Sequence, residues 1–367
     1  MNFKRYGSVA AIAVAGSLLL ASCAANEGDT GSSTGDEGTP STLSGTLVGA
    51  GASSQQSAQE AWVAAFQTAN PDVTVEYDPA GSGAGRDTFI AGASSFAGSD
   101  RAFKDEEIAE DNFASCVPGT GIVELPAYIS PIAIIFNLDG IATLNLDADT
   151  VANIFAGNIT KWNDPAIVSQ NEGVELPDLA ITAVHRADDS GTTENLTDYL
   201  AAAAPSVWTW EADGVWPIEH GEAAPQTSGV IDAVTNGTGT IGYADASRAG
   251  DLGTVAVKVG DEYVPYSAEA AAAIVDASPL VEGRGEGDLA IELDRASTES
   301  GVYPIVLISY LIACNEYEDA AQAELTKAYL EYIISDEGQQ LAAEKAGSAP
   351  ISKTLFEKAS AAVAAIK

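Results

Sequence analysis

The sequence predicts an α/β protein of two domains, and three observations carry that expectation. Apolar, strand-like runs repeatedly give way to a polar turn rich in Gly and hydroxyl side chains, and then to a helical pattern. Two further apolar runs, 127–137 and 303–313, read as strands of their own. At 367 residues with 46% apolar content, the chain is long enough and apolar enough to fill two cores.

The first 23 residues read as an export signal. Lys4 and Arg5 form a charged start, 9–20 is an apolar stretch too short for a comfortable membrane span, and Leu20-Ala21-Ser22-Cys23 closes it. That ending resembles the lipobox of bacterial lipoproteins, which implies an acylated Cys23 on the outer face of the cell membrane as the only membrane attachment. Residues 24–44 hold no basic residue and hardly an apolar one, so a disordered acidic tether is expected there.

The charge is lopsided, with 16 Lys and Arg against 53 Asp and Glu, a net −37. So acidic a chain is a poor partner for nucleic acid or for anionic lipid. An anion ligand would have to be held by local donors, with long-range repulsion screened over about 10 Å at roughly 0.1 M salt. Of three cysteines, a lipidated Cys23 leaves Cys116 and Cys314. In an exported protein these are a candidate disulfide, two free thiols being the alternative. With His185 and His220 the only histidines, neither a histidine-rich metal site nor a Cys–His zinc cluster is expected.

The first strand–turn–helix junction follows an expected strand at 44–48, where Gly49-Ala50-Gly51-Ala52-Ser53-Ser54 leads into a helical run at 58–68. In the second, the alternating run 73–77 is followed by Gly81-Ser82-Gly83-Ala84-Gly85 and a helix expected at 86–92. Phe96-Ala97-Gly98-Ser99-Asp100-Arg101 reads as a strand end with a polar tip. The third junction is the most pronounced. The run 179–184 feeds Arg186-Ala187-Asp188-Asp189-Ser190-Gly191-Thr192-Thr193, and a helix follows with Leu196, Tyr199 and Leu200 on one face. Helix starts carry unpaired N–H groups and the positive end of the dipole, so each junction is an anion site in waiting. Ser190, Thr192 and Thr193 add hydroxyl donors, Gly191 lets backbone approach a ligand, and Arg186 brings a guanidinium fork that Asp188 can hold in place.

Asp100 sharpens the chemistry. An ionised carboxylate only accepts hydrogen bonds, so it repels a fully ionised anion such as sulfate. It accepts instead from an anion that keeps a proton near neutral pH, such as hydrogen phosphate. Discrimination of this kind is worth several kcal/mol. The bland alternative is an Asp100–Arg101 surface pair.

These segments resemble the phosphate-binding proteins of bacterial ABC phosphate importers. Gly49 to Ser54, Gly81-Ser82, Phe96 to Asp100 and Arg186 to Thr193 are similar to that family's four ligand segments, in its order. Ile154-Phe155-Ala156-Gly157-Asn158-Ile159-Thr160-Lys161-Trp162-Asn163-Asp164-Pro165 and Gly239-Thr240-Ile241-Gly242-Tyr243 agree. The resemblance implies a two-lobed periplasmic-binding-protein-like clamp, each lobe a mixed sheet flanked by helices, joined by two hinge crossings. Lobe I would be 45–126 plus 303–367 and lobe II 127–302. The implied ligands of a dehydrated hydrogen-phosphate ion are Ser53, Ser54 through its backbone, Ser82, Asp100, Arg186, Ser190, the Gly191 backbone and Thr192, with Asp188 pairing Arg186. The implied partners are inorganic phosphate and the membrane subunits of an ABC permease; a monomer without cofactor or metal is expected.

The chain departs from the family in three places. Ser53-Ser54 stands where Thr-Phe is common, 222–229 lacks the usual Gly-rich turn and is left out of the expected site, and 111–121, holding Cys116, reads as an insertion. Gly237 to Gly242 matches a dinucleotide fingerprint in letters only, because it precedes a strand and reads as a turn. Helices at 320–334 and 338–346 complete lobe I. An exported phosphatase would need an activated nucleophile or metals, and neither His has a recognisable nucleophile partner. A phosphate sensor or adhesin on the same fold is the other alternative.

Overall fold

The computed structural model describes residues 43–367, which lie within a single compact unit. The expected signal segment, Cys23 and nearly all of the expected tether lie outside the described residues. Strand β1 (Gly45–Gly51) passes through a 3-10 turn, Ser53–Gln55, into helix α1 (Gln56–Ala69). Then come β2 (Val73–Asp78), α2 (Ser82–Ile90), β3 (Phe96–Ser99), the short α3 (Asp105–Ala109) and the long β4 (Ile122–Phe136). The middle of the chain holds β5 (Thr143–Leu146), α4 (Ala148–Phe155), α5 (Pro165–Val168), β6 (Thr182–Arg186) and α6 (Gly191–Ala203). It continues with β7 (Glu222–Ala224), α7 (Gln226–Asn236), β8 (Thr240–Asp245), β9 (Gly253–Val259), β10 (Glu262–Val264) and α8 (Ala268–Ala277). Strand β11 (Val306–Cys314) and helices α9 (Ala320–Ile334), α10 (Asp336–Ala346) and α11 (Lys353–Ala365) close the chain.

The strands form one continuous mixed sheet in the order β2-β1-β3-β11-β4-β8-β6-β7, with β9 also on β4 and β5 and β10 on β9. Strand β4 joins its two halves. Residues up to Pro131 pair antiparallel with β11, whereas Ile132 to Phe136 pair antiparallel with β8. Every residue of β4 and β11 is buried, which is why both read as apolar runs rather than as alternating ones. The change of partner on β4 falls between Pro131 and Ile132, a few residues past position 127. Strand β4 also starts before the expected 127, because Glu124 and Pro126 interrupt its apolar run without ending the strand. Glu124 is fully buried, accepts the Phe103 N–H at 2.8 Å, and is pushed well above the usual carboxylate range by burial and by Asp288.

Helix α2 begins at Ser82, earlier than the expected 86, because Gly81 supplies a φ of 112° at the cap that L side chains rarely adopt. A Cβ at Gly81 would lie 2.7 Å from the Asp188 carboxylate. The two open cysteines are bridged. Cys116 and Cys314 form a disulfide with Cα atoms 5.3 Å apart, tying 111–121 to the end of β11 across 198 residues of sequence. Closing so long a loop contributes on the order of 5 kcal/mol in the chain-entropy account.

Where β4 changes partner, the Tyr128 hydroxyl donates to both Asp245 oxygens at 3.0 and 3.1 Å, and the Ser247 N–H donates to one of them at 3.0 Å. Burial pushes the Asp245 carboxyl up to about 6, against the hydrogen bonds that would lower it. The folded chain therefore binds this proton more tightly than the unfolded chain. The resulting stabilisation is present below the ordinary carboxylate value and is lost as pH rises through about 6. A shift of roughly two units corresponds to roughly 3 kcal/mol. Urea unfolding at pH 4 and pH 7 is expected to show the wild type gaining most of that, about 2.4 kcal/mol, over Asp245→Asn at the lower pH. A constant gap between the two proteins would exclude the linkage.

Candidate anion-binding site

Five segments that follow parallel strands meet at the carboxyl ends of those strands, where a loop or helix start places backbone N–H groups outward. Ser53 and Ser54 follow β1, Ser82 follows β2, Asp100 follows β3, Arg186 to Thr192 end β6 and open α6, and Thr227 follows β7. Ser53, Ser54, Ser82, Asp100, Arg186, Ser190, Thr192 and Thr227 are all at most 3% exposed. The two halves of the sheet touch here directly. The Thr227 N–H donates to Ser53 Oγ at 3.2 Å and their hydroxyls are 2.9 Å apart, while Thr192 donates to Asp100 at 2.9 Å and the Gly83 N–H to the Asp189 carbonyl at 3.3 Å.

Asp100 is the centre of this arrangement. Its Oδ1 accepts the hydroxyls of Ser54 and Ser309, both at 2.6 Å, and its Oδ2 accepts that of Thr192. Its backbone N–H donates to Ser82 Oγ at 3.2 Å, and its carbonyl accepts Asn195 Nδ2 at 2.7 Å. A carboxylate has about four acceptor positions. Two on Oδ1 and one on Oδ2 are taken, which leaves one on the side of Thr192. Gly191 is required for this approach, since a Cβ there would lie 2.5 Å from Asp100 Cβ and 2.9 Å from Ser82 Oγ. Arg101 does not pair with Asp100. Its guanidinium donates to Glu107 at 2.7 and 2.9 Å and forms an ion pair with Glu194 at 2.9 Å.

Arg186 forms the opposite wall. Its Nε donates to Asp188 Oδ1 at 2.9 Å and a second guanidinium nitrogen to Asp188 Oδ2. Asp188 Oδ1 also accepts the Gln226 N–H at 2.8 Å. Burial alone would push the Asp188 carboxyl up, but the hydrogen bond and charge of Arg186, with that N–H, outweigh it and hold the group below the usual range. The Arg186 N–H donates to the Tyr243 hydroxyl at 3.1 Å, and that hydroxyl lies 2.6 Å from the Thr193 hydroxyl. Ser190 caps α6 by accepting the Thr193 N–H at 3.3 Å, which leaves its own hydroxyl proton to give. His185 stacks on Trp216 with ring centroids 4.9 Å apart, and its ring Nδ1 lies 2.9 Å from the Arg186 carbonyl. It is a packing residue behind the wall.

All eight expected ligand residues and Asp188 are brought together. Ser54 contributes its hydroxyl to Asp100, whereas the sequence leads to an expected role for its backbone alone. The loop left out of the expected site, 222–229, is part of it: Gln226 bonds Asp188 and Thr227 bonds Ser53. The turn that carries them contains no Gly-rich signal, but Gln226 adopts a φ of 58° in its place. Three further residues carry no sequence signal. Arg86, 4% exposed, donates to Ser99 at 2.9 Å and lies 3.6 Å from Asp189. Arg295, 6% exposed, donates to the Val306 and Pro304 carbonyls and to Asn195, which in turn holds the Asp100 carbonyl. Ser309 is the third. Among the described residues, no group of three or more His, Cys, Asp or Glu side chains is placed to hold a metal ion.

A PBP superfamily domain model matches residues 36–337. The chain is 33% identical to the phosphate-binding protein PstS2 of Mycobacterium bovis, over all of both chains. It is also 33% identical to PstS3 of the same organism, over 91% of this chain and 92% of that one. A high-affinity periplasmic phosphate-binding protein (PfluDING) bound with phosphate shares the fold at a TM-score of 0.67 and 19% identity, covering 86% and 93% of the two chains. A phosphate-binding protein from Stenotrophomonas maltophilia does so at 0.65 and 21%, covering 87% and 94%. The fold and the site thus define a PBP-type α/β protein built around a buried cluster of hydroxyl, carboxylate and guanidinium groups. Within the PBP superfamily, the chain belongs to the family of PstS phosphate-binding proteins.

Proposed function

We propose that this protein captures inorganic phosphate outside the cytoplasm with high affinity and delivers it to the membrane subunits of an ABC importer, doing no chemistry on the ion. The observation that carries this reading is Asp100, whose carboxylate accepts three hydroxyls and keeps one acceptor position open. Around it stand two guanidiniums, Arg86 and Arg186, against three carboxylates, Asp100, Asp188 and Asp189. Net charge therefore does not attract the ligand. Neutral donors hold it, and an oxyanion that retains a proton completes the hydrogen bonding of the pocket.

The ligand set is Ser53, the Ser54 and Gly191 N–H groups, and Ser82, Asp100, Arg186, Ser190 and Thr192. The halves 45–126 with 303–367 and 127–302 act as lobes that open about β4 and β11, exchanging the direct Ser53–Thr227 contact for contacts to the ion while Thr192 stays on Asp100. The chain works as a monomer tethered through an acylated Cys23. Equilibrium dialysis with radiolabelled phosphate tests the reading, with excess sulfate as competitor and a phosphatase assay alongside. One ion retained per chain, indifferent to sulfate and accompanied by no hydrolysis, is the expected result. Failure to retain phosphate, or displacement by equimolar sulfate, would overturn it.

A further inference from the structure

Behind the pocket, four buried side chains from four elements, α9, α1, the 3-10 turn and β11, form a chain of hydrogen bonds that ends on Asp100. The Tyr329 hydroxyl of α9 donates to Gln59 Oε1 at 2.8 Å. Gln59 Nε2 donates to Gln55 Oε1 at 2.9 Å, Gln55 Nε2 to Ser309 Oγ at 2.6 Å, and Ser309 Oγ to Asp100 Oδ1 at 2.6 Å. Tyr329, Gln55 and Ser309 are 0% exposed, Gln59 1% and Asp100 3%.

The direction of this chain is set by chemistry. Gln55 Nε2 also faces the Tyr310 backbone carbonyl at 3.3 Å, and a carbonyl only accepts, so that end of the amide is the NH2. Its other end must then accept, which makes Gln59 donate and turns the Gln59 oxygen toward Tyr329. Burial pushes the Tyr329 phenol well above its ordinary value, so it keeps the proton it gives. At the far end, Ser309 receives an N–H and has a single proton left, which goes to Asp100. The β11–β4 register shifts between Ser309 and Tyr310, and a bulge at this point re-aims side chains out of the regular ladder.

We infer that Ser309, held by Gln55, is a positioning residue for anion selection, committing Asp100 Oδ1 to the acceptor state so that only an oxyanion carrying a proton is accepted at Oδ2. This rests on the phosphate-binding reading. It also reaches beyond the pocket, because none of Tyr329, Gln59, Gln55 or Ser309 belongs to the ligand set. With Ser309 removed, Asp100 loses one of the two hydroxyls that hold Oδ1 and is freed to turn aside, which admits a proton-free oxyanion. A hydrogen bond to a charged group is worth about a tenfold change in equilibrium or more.

The test is the affinity of wild type, Ser309→Ala, Ser309→Thr and Gln55→Met for phosphate and for sulfate, measured separately by calorimetry. Ser309→Ala is expected to bind sulfate about tenfold more tightly than wild type while losing phosphate affinity, and Ser309→Thr, which restores the hydroxyl, to return both. Gln55→Met removes the N–H that fixes the Ser309 hydroxyl, so its proton is no longer held on Asp100 and the variant's sulfate affinity rises too; it carries the test should Ser309→Ala fail to fold. Loss of phosphate affinity with no gain for sulfate in these variants is what mere loosening of the structure produces, and it overturns the inference. A wild type that binds no phosphate overturns the underlying function reading instead.

Discussion

Asp100→Asn is expected to keep its fold and to admit sulfate, the largest change in behaviour that a single substitution in this protein should produce. The amide oxygen takes the place of Oδ1, because Ser309 has one proton and gives it there. The amide NH2 then occupies the Oδ2 position beside Thr192, where it donates to whichever oxyanion enters. Sulfate, which meets an acceptor facing an acceptor in the wild type, meets a donor in the variant. Relief of such a mismatch is worth several kcal/mol, so sulfate affinity should rise by about a hundredfold or more. Competition dialysis at neutral pH measures this, with thermal unfolding as the control for fold. A variant that still prefers phosphate to sulfate as strongly as the wild type would remove Asp100 from the selection mechanism.

Arg186→Ala should weaken phosphate binding by about ten- to a hundredfold without abolishing it, since one charge-assisted pair is lost and most donors remain. Part of the loss comes from Asp188. With its guanidinium partner it lies below the usual carboxylate range; without it, burial pushes the other way and an unbalanced negative group faces the ligand. The effects of Arg186→Ala and Asp188→Ala should therefore be strongly non-additive, the double variant binding better than Arg186→Ala alone. The sign of the acid dependence also follows. A depressed carboxyl contributes stability above its unfolded value and loses it as pH falls through the folded one, so this contribution should vanish from Arg186→Ala. Arg186→Lys is not expected to rescue, because an ammonium cannot span both Asp188 oxygens. An Arg186→Ala protein with wild-type affinity would place the guanidinium outside the pocket.

The strand–turn–helix junctions were legible because each is a local pattern: an apolar run, a Gly or hydroxyl turn, then helical spacing. Arg186 and Asp188 are two residues apart, and the pairing of their side chains needs nothing from the rest of the fold. Ser190 is legible for the same reason, as a cap three residues before the N–H that it accepts. The class of fold and the four polar segments of the pocket follow from such short-range regularities, and the resemblance to a family adds their order.

What the tertiary structure alone decided is who meets whom across long separations. Ser309 reaches Asp100 from 209 positions away and Thr227 reaches Ser53 from 174. Asn195 reaches the Asp100 carbonyl from 95 positions away. A lone Ser inside the apolar run of β11, or a Thr after a Pro-containing turn, has no local signature of a polar task. It acquires one only when its segment packs beside the carboxyl ends of the parallel strands and water is excluded. Periodicity reports which face of an element is buried. The direction of a hydrogen bond between two buried groups depends on what else each of them touches, and that is a property of the packed chain.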